Sequence, residues 1–94
     1  MRVRWTKRAL TDLSGLASYI SIDNPRAALA TWDRIDQRLE RLGEHPELGR
    51  KGRIPGTREL IVTRTPYLVV YRIGDGIVKI ERVLHGAQRW PPRV

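Results

Sequence analysis

The chain has no cysteine among its 94 residues. That excludes a disulfide scaffold and any thiolate metal site. Its two histidines, His45 and His85, stand far apart, so a zinc site would need unusual ligands. No run approaches the ~18 to 20 apolar residues of a membrane span, and no membrane role is expected. No apolar stretch follows the basic start Met1-Arg2-Val3-Arg4-Trp5, so no signal peptide is expected and the simplest compartment is the cytoplasm. Repeats and low-complexity segments are absent. So are a G-x-S-x-G elbow, paired histidines and a Gly-rich phosphate loop between strand and helix. Gly49-Arg50-Lys51-Gly52-Arg53 is basic and glycine-rich but does not fit a P-loop. No cofactor and no metal is implied.

What is present is one small domain, residues 1–94, with 40% hydrophobic and 30% charged residues. That suffices to fold one core and leaves no room for a second. Eighteen Lys and Arg against ten Asp and Glu give a net charge of +8. Residues 1–49 hold eight bases and seven acids, and residues 50–94 hold ten and three, so the net charges are +1 and +7. Fifteen of the eighteen bases are Arg, the others being Lys7, Lys51 and Lys79. A cationic half points to an anionic partner, and the planar five-donor guanidinium suits phosphate and carboxylate.

Residues 2–5 lean to a strand. Thr6 can cap a helix. From Lys7 to Ile20 the residues Ala9, Leu10, Leu13, Leu16, Ala17 and Ile20 recur at helical spacing, and Ser21-Ile22-Asp23 interrupts them. Asn24-Pro25 is a start signal for a second helix from Pro25 to about Leu42. Ala28, Trp32 (or Thr31), Ile35, Leu39 and Leu42 line its stripe, and Gly43 is a plausible C-cap. The short link implies an antiparallel helical hairpin. The outer face of the second helix, with Asp33, Arg34, Asp36, Arg38, Glu40 and Arg41, reads as a solvated surface. Residues 44–57 read as a loop. Strands follow at 58–62, 67–73 and 77–84, with a hairpin at Gly74-Asp75-Gly76. Residues 86–94 should be irregular.

The expected fold class is α+β in the order β-α-α-β-β-β, an antiparallel sheet covered on one face by the helical hairpin. If Ile73 faces Ile77, then Leu68, Val70, Val78 and Ile80 face the helices, with Arg72 and Arg82 at the margins. Tyr67, Tyr71, Lys79 and Glu81 would then form an open polar face.

The chemistry on offer is a basic surface with aromatics: Arg50, Lys51, Arg53, Arg58, Arg64, Arg72, Arg82 and Arg89, with Tyr67, Tyr71, His85 and Trp90. Such a set could bind phosphates and stack bases. It could also cleave RNA without metal, which needs a base, an acid and cations for the charged phosphorane. His85 is the side chain of this half that ordinarily titrates near neutrality. A strand-end histidine bonded to a neighbour would look the same, cross-strand packing would equally account for the tyrosines, and Trp90 could simply tack the tail to the body.

Several segments in order resemble the RelE/ParE superfamily of type II toxin–antitoxin toxins. They are Trp5-Thr6 with Ala9 and Asp12-Leu13, Tyr19-Ile20, Asn24-Pro25 with Ala27-Ala28, and Pro46-Glu47-Leu48-Gly49-Arg50. Next come Gly56-Thr57-Arg58-Glu59-Leu60, the run from Pro66 to Arg72, and Arg82-Val83-Leu84-His85-Gly86 with Trp90-Pro91. The resemblance implies a growth-arresting toxin neutralised by a cognate antitoxin that wraps an acidic segment over it. RelE-like members cut mRNA on the ribosome, and ParE-like members inhibit DNA gyrase. The RelE-type set implies bases on the strand at 58–62, an Arg after the first Tyr of the next strand, and an Arg with a Tyr near the end. Here only Arg58 fits the first, Leu68 follows Tyr67, and the tail has His85 and Arg89 but no Tyr. The nearer branch is therefore ParE, with DNA gyrase as expected target. Arg50, Lys51, Arg53, Arg64, Tyr67, Tyr71, Arg89 and Trp90 are the expected contacts to target or antitoxin. The alternatives are a ribosome-dependent RNase using Arg58, Arg72, Arg82 and His85, and a non-toxic basic nucleic-acid-binding module.

Overall fold

The computed structural model describes residues 1–86 and 88–92, without the side chains of Ser21 and Asp23. The order is β1 (Arg2–Trp5), α1 (Lys7–Asp23), α2 (Pro25–Glu44), a 3-10 turn (Pro46–Leu48), β2 (Arg50–Lys51), β3 (Arg58–Ile61), β4 (Tyr67–Gly74) and β5 (Ile77–His85). Of the tail expected to be irregular, Gly86 and residues 88–92 form no helix or strand, and Ala87, Arg93 and Val94 lie outside the described residues.

The helix starts follow from their caps. Ala9 N–H donates to Thr6 Oγ1 at 3.1 Å, and that hydroxyl donates to Ile80 O at 2.9 Å, so the first turn of α1 is pinned to β5. Asn24 alone separates the helices. Its N–H closes α1 on Ile20 O at 3.0 Å, while its Oδ1 accepts Ala27 N–H at 3.1 Å to open α2. This double cap lets α1 run on through Asp23, past the interruption expected at 21–23. Gly43 lies inside α2, close under the Met1 carbonyl, and His45 is the C-cap.

The sheet order is β1-β5-β4-β3-β2. Strands β2 to β5 pair antiparallel, but β1 lies parallel to β5, with Arg2 opposite Ile77, so the sheet is mixed. Local turn signals cannot orient a strand whose partner lies some seventy residues away.

The expected register of the β4–β5 hairpin is one residue out. Gly74 pairs with Ile77 and Ile73 with Val78, leaving a two-residue turn. Both turn residues have positive φ, 53° at Asp75 and 74° at Gly76, as a type I′ hairpin requires. A one-residue slip exchanges faces. The helix-facing core therefore holds Val69 and Tyr71 with Val78, Ile80 and Val83, joined by Ile35, Leu39, Leu42, Leu60 and Val62. The register shifts between Val70 and Tyr71, with Glu81 the extra residue of β5, so that Ile80 and Val83, three residues apart, both face the helices. Leu68 and Val70 are buried as well, but on the opposite face. Three residues expected in the helix stripes stand outside them: Leu10 is 50% exposed, Trp32 44%, and Ala17 is exposed as well.

Candidate functional site

Cross-strand pairing fixes what each sheet face carries. Arg50, Glu59, Val70 and Arg82 form one row across the face away from the helices. Glu59 is the anchor of this row. Its carboxylate is fully buried and accepts the Arg53 N–H at 2.8 Å. Arg53 Nη2 and Arg50 Nη2 approach Glu59 Oε1 at 3.3 and 3.4 Å. A buried carboxylate needs such partners, because desolvation would otherwise be prohibitive. Both guanidiniums stay about half exposed.

Arg53 Nη1 also donates to the Trp90 carbonyl at 3.0 Å, and the Arg82 guanidinium carbon lies 5.5 Å from the Trp90 ring centroid. The tail is thus tacked to this face. Arg82 itself forks onto Asp12 of α1, Nε to Oδ2 at 2.7 Å and Nη2 to Oδ1 at 3.1 Å. Asp12 also accepts Val83 N–H at 3.0 Å. Arg72 pairs with Glu81 at 2.9 Å and bonds the Pro55 carbonyl at 3.3 Å.

The tyrosines are not on an open face. Tyr71 is fully buried on the helix side, its hydroxyl donating to Pro46 O at 2.7 Å and accepting Gly49 N–H at 2.8 Å. Tyr67 is buried beside it in the strand. Burial raises both hydroxyl pKa values above the ordinary 10.0, with Tyr19 adding to the effect at Tyr67. The one-residue register difference accounts for this correction.

His85 lies opposite Tyr67, the rings edge to face at 5.6 Å. It borders a cleft of about 460 Å3 under α1, lined also by Asp12, Tyr19 and Gln88. Arg58 sits on β3 between Lys51 of β2 and Tyr71 of β4 and donates to Gly49 O at 2.7 Å. The four residues considered for RNA cleavage therefore do not converge. His85 and Arg72 are opposite or on β4 positions 67 and 72, about 17 Å apart at ~3.3 Å per residue. Arg58 and His85 belong to the helix-facing rows, Arg72 and Arg82 to the other face. Lys51 and Arg89 are exposed. Arg64 lies apart, in the β3–β4 turn beside α2. Among the described residues no cluster of three His, Asp or Glu could hold a cation.

Residues 3–90 match the sequence model of the ParE toxin of the type II toxin–antitoxin system parDE. The chain belongs to this toxin family. The protein Y4kP of Sinorhizobium fredii is 44% identical over 96% of this chain and 93% of its own. Toxin RelE2 of Caulobacter vibrioides is 39% identical over 93% of this chain and 97% of its own. Among solved structures, the chromosomal ParDE system of P. aeruginosa matches with a TM-score of 0.79 at 26% identity, covering 90% of this chain and 95% of that one. A chain of the RelBE2 toxin–antitoxin complex of Mycobacterium tuberculosis matches at 0.61 and 30%, covering 89% and 95%. ParE family membership makes the chain the toxin of a type II module and sets aside the non-toxic reading. No helix among the described residues is long and apolar enough to cross a membrane.

Sequence reasoning overlooked Asp12 and Glu59 as anchors of the site. The only signal was scarcity: residues 50–94 hold three acids, and two of them pair with arginines. It also set aside Arg34, Arg38 and Arg41, which the fold gathers around Arg64.

Proposed function

We propose that this toxin arrests growth in the cytoplasm by binding DNA gyrase, without cutting RNA, and that a cognate antitoxin neutralises it with an acidic segment. The observation that carries the reading is the dispersal of Arg58, Arg72, Arg82 and His85. Acid–base cleavage needs its groups within hydrogen-bond reach of one phosphate, and these four sit on two faces over about 17 Å. Arg72 and Arg82 are further tied to Glu81 and Asp12. Family membership supports the same branch. Arg50 and Arg53, beside Trp90 on the face away from the helices, are proposed for the antitoxin's carboxylates together with the exposed Lys51 and Arg89, and complementary charge speeds and orients such capture. The solved relatives include toxin–antitoxin systems, which supports an antitoxin partner here.

The ribosome-dependent RNase reading draws on the name of the RelE2 relative and on the cleft beside His85. One substitution separates the two. His85→Ala leaves toxicity intact if gyrase binding is the mechanism and abolishes it if His85 moves a proton. Inhibition of supercoiling by purified gyrase is the expected direct result. Cleavage of translated messages in primer extension, with supercoiling unaffected, would replace the proposal.

A further inference from the structure

Between α2 and the β3–β4 turn runs a groove of about 570 Å3, lined by Ala30, Asp33, Gln37 and Thr63 with the arginines 34, 38, 41 and 64. Four cations face one acid. Two of the guanidiniums are fixed by backbone carbonyls: Arg34 Nη1 donates to Arg64 O at 3.1 Å, and Arg38 Nε to Ile61 O at 3.3 Å. A carbonyl bond orients a guanidinium without neutralising it. Among the described residues no carboxylate forms an ion pair with any of the four.

A second observation lies in the turn. Arg64 has φ 64°, a left-handed conformation that favours Gly, Asn or Asp. Its neighbours hold it there. Thr65 Oγ1 donates to Val62 O at 2.8 Å and accepts Tyr67 N–H at 3.1 Å. An arginine kept at a strained position, in a groove lined by three others, is a site-like feature.

We propose that this groove holds the phosphodiester backbone of a nucleic acid. The spacing fits. Arg34 to Arg41 spans about 10.5 Å of helix axis, in which one strand of a duplex presents roughly three phosphates. The lining chooses between polyanions. An acidic protein segment needs an apolar core in its interface, and Ala30 is the groove's one apolar side chain. The exposed Leu29 and Trp32 fall on the other flank of α2 by helical periodicity. Nucleic-acid interfaces are polar and strongly cationic, as this one is. With no aromatic in the lining to stack a base and a backbone-directed donor set, binding is independent of sequence. The assignment does not rest on gyrase as target.

The test titrates the purified full chain into labelled mixed-sequence duplex DNA and labelled single-stranded RNA, reading anisotropy across salt concentrations. Four phosphate contacts give a log–log salt slope of about −3.6 on a duplex. Arg41→Gln with Arg64→Asn reduces its magnitude by about 2, and Arg41→Gln alone, with the turn untouched, by about 1. Asn suits the left-handed backbone, and Arg41 is exposed, so melting temperatures stay level. Lys7→Gln on α1 leaves the slope in place. Loss on either duplex or RNA supports the assignment and names the source of the phosphates. Slopes that do not change in the double variant overturn it. So does a double variant that loses only oligoglutamate while nucleic-acid binding persists, which would make the groove a receptor for an acidic protein segment.

Discussion

Tyr71→Phe isolates one hydroxyl at the centre of the fold. The ring stays and only the oxygen leaves. That oxygen is fully buried and serves two backbone groups, Gly49 N–H at 2.8 Å and Pro46 O at 2.7 Å. Both belong to the connection that carries the chain from α2 into β2. A buried donor left unpaired costs about 1 to 3 kcal/mol, and the second bond adds about 1. The expected loss is about 3 kcal/mol, a large share of a small domain's stability. At roughly 4 to 8 °C per kcal/mol for a chain of this size, the melting temperature falls by about 12 to 24 °C. Thermal unfolding followed by circular dichroism reads it directly. A fall below about 4 °C would show that the two backbone groups find other partners. Antitoxin affinity, measured below the melting transition, stays unchanged. A variant that keeps its melting temperature but loses partner binding would place the hydroxyl on the binding surface and refute the reasoning.

Gly49→Ala attacks the same contact from the other side. The added Cβ would stand 2.7 Å from the Tyr71 hydroxyl and 2.9 Å from the Glu59 carbonyl, so unfolding in urea should come at a clearly lower midpoint. Asp12→Asn weakens the fork from Arg82 and sets an amide against its donors. The expected cost is about 2 kcal/mol, read as a melting shift of about 8 to 16 °C. Asn24→Ala removes the α2 cap and costs about 1 kcal/mol in the same assay. Alkaline pH tests the tyrosines. Their folded-state pKa values lie above 10.0, so their contribution is complete below pH 10.0 and is lost as pH rises through the raised values. Urea midpoints should fall on that limb, and less steeply in Tyr71→Phe. Equal slopes in both proteins would count against burial as the cause.

What the sequence could reveal depended on how local the determining interactions are. Both helix starts were legible because Thr6 and Asn24 act within three residues of themselves. Strands β1, β3, β4 and β5 were legible from alternation and turn residues, whereas β2 fell inside the expected loop 44–57 because two residues are too few to alternate. The parallel placement of β1 was not, since it rests on Thr6 reaching Ile80 across the molecule. The faces of β4 were misassigned because Gly74-Asp75-Gly76 admits two turn registers. Only backbone geometry, positive φ at Asp75 and Gly76, selects one. The same step put Tyr71 on the surface in the sequence reading and in the core in the structure. The candidate site was legible as composition and illegible as geometry: the run of arginines is visible, their partners are not.

Those partners change what the net charge means. The C-terminal half carries +7, but much of it is committed inside the fold. Arg50 and Arg53 converge on Glu59, Arg72 on Glu81, and Arg82 reaches back to Asp12 in the nearly neutral half. An ion pair cancels most of a guanidinium's distant field, whereas a carbonyl bond leaves its unit charge intact. The strongest uncompensated field therefore need not lie where the sequence is most basic. One concentration of such charge is the groove along α2, where carbonyls orient Arg34 and Arg38 and Arg41 and Arg64 complete the lining beside Asp33. A partner drawn to the sheet face must compete with carboxylates already in place or share half-exposed guanidiniums with them. A partner drawn to the α2 groove meets no such competitor, so its affinity should depend more steeply on salt.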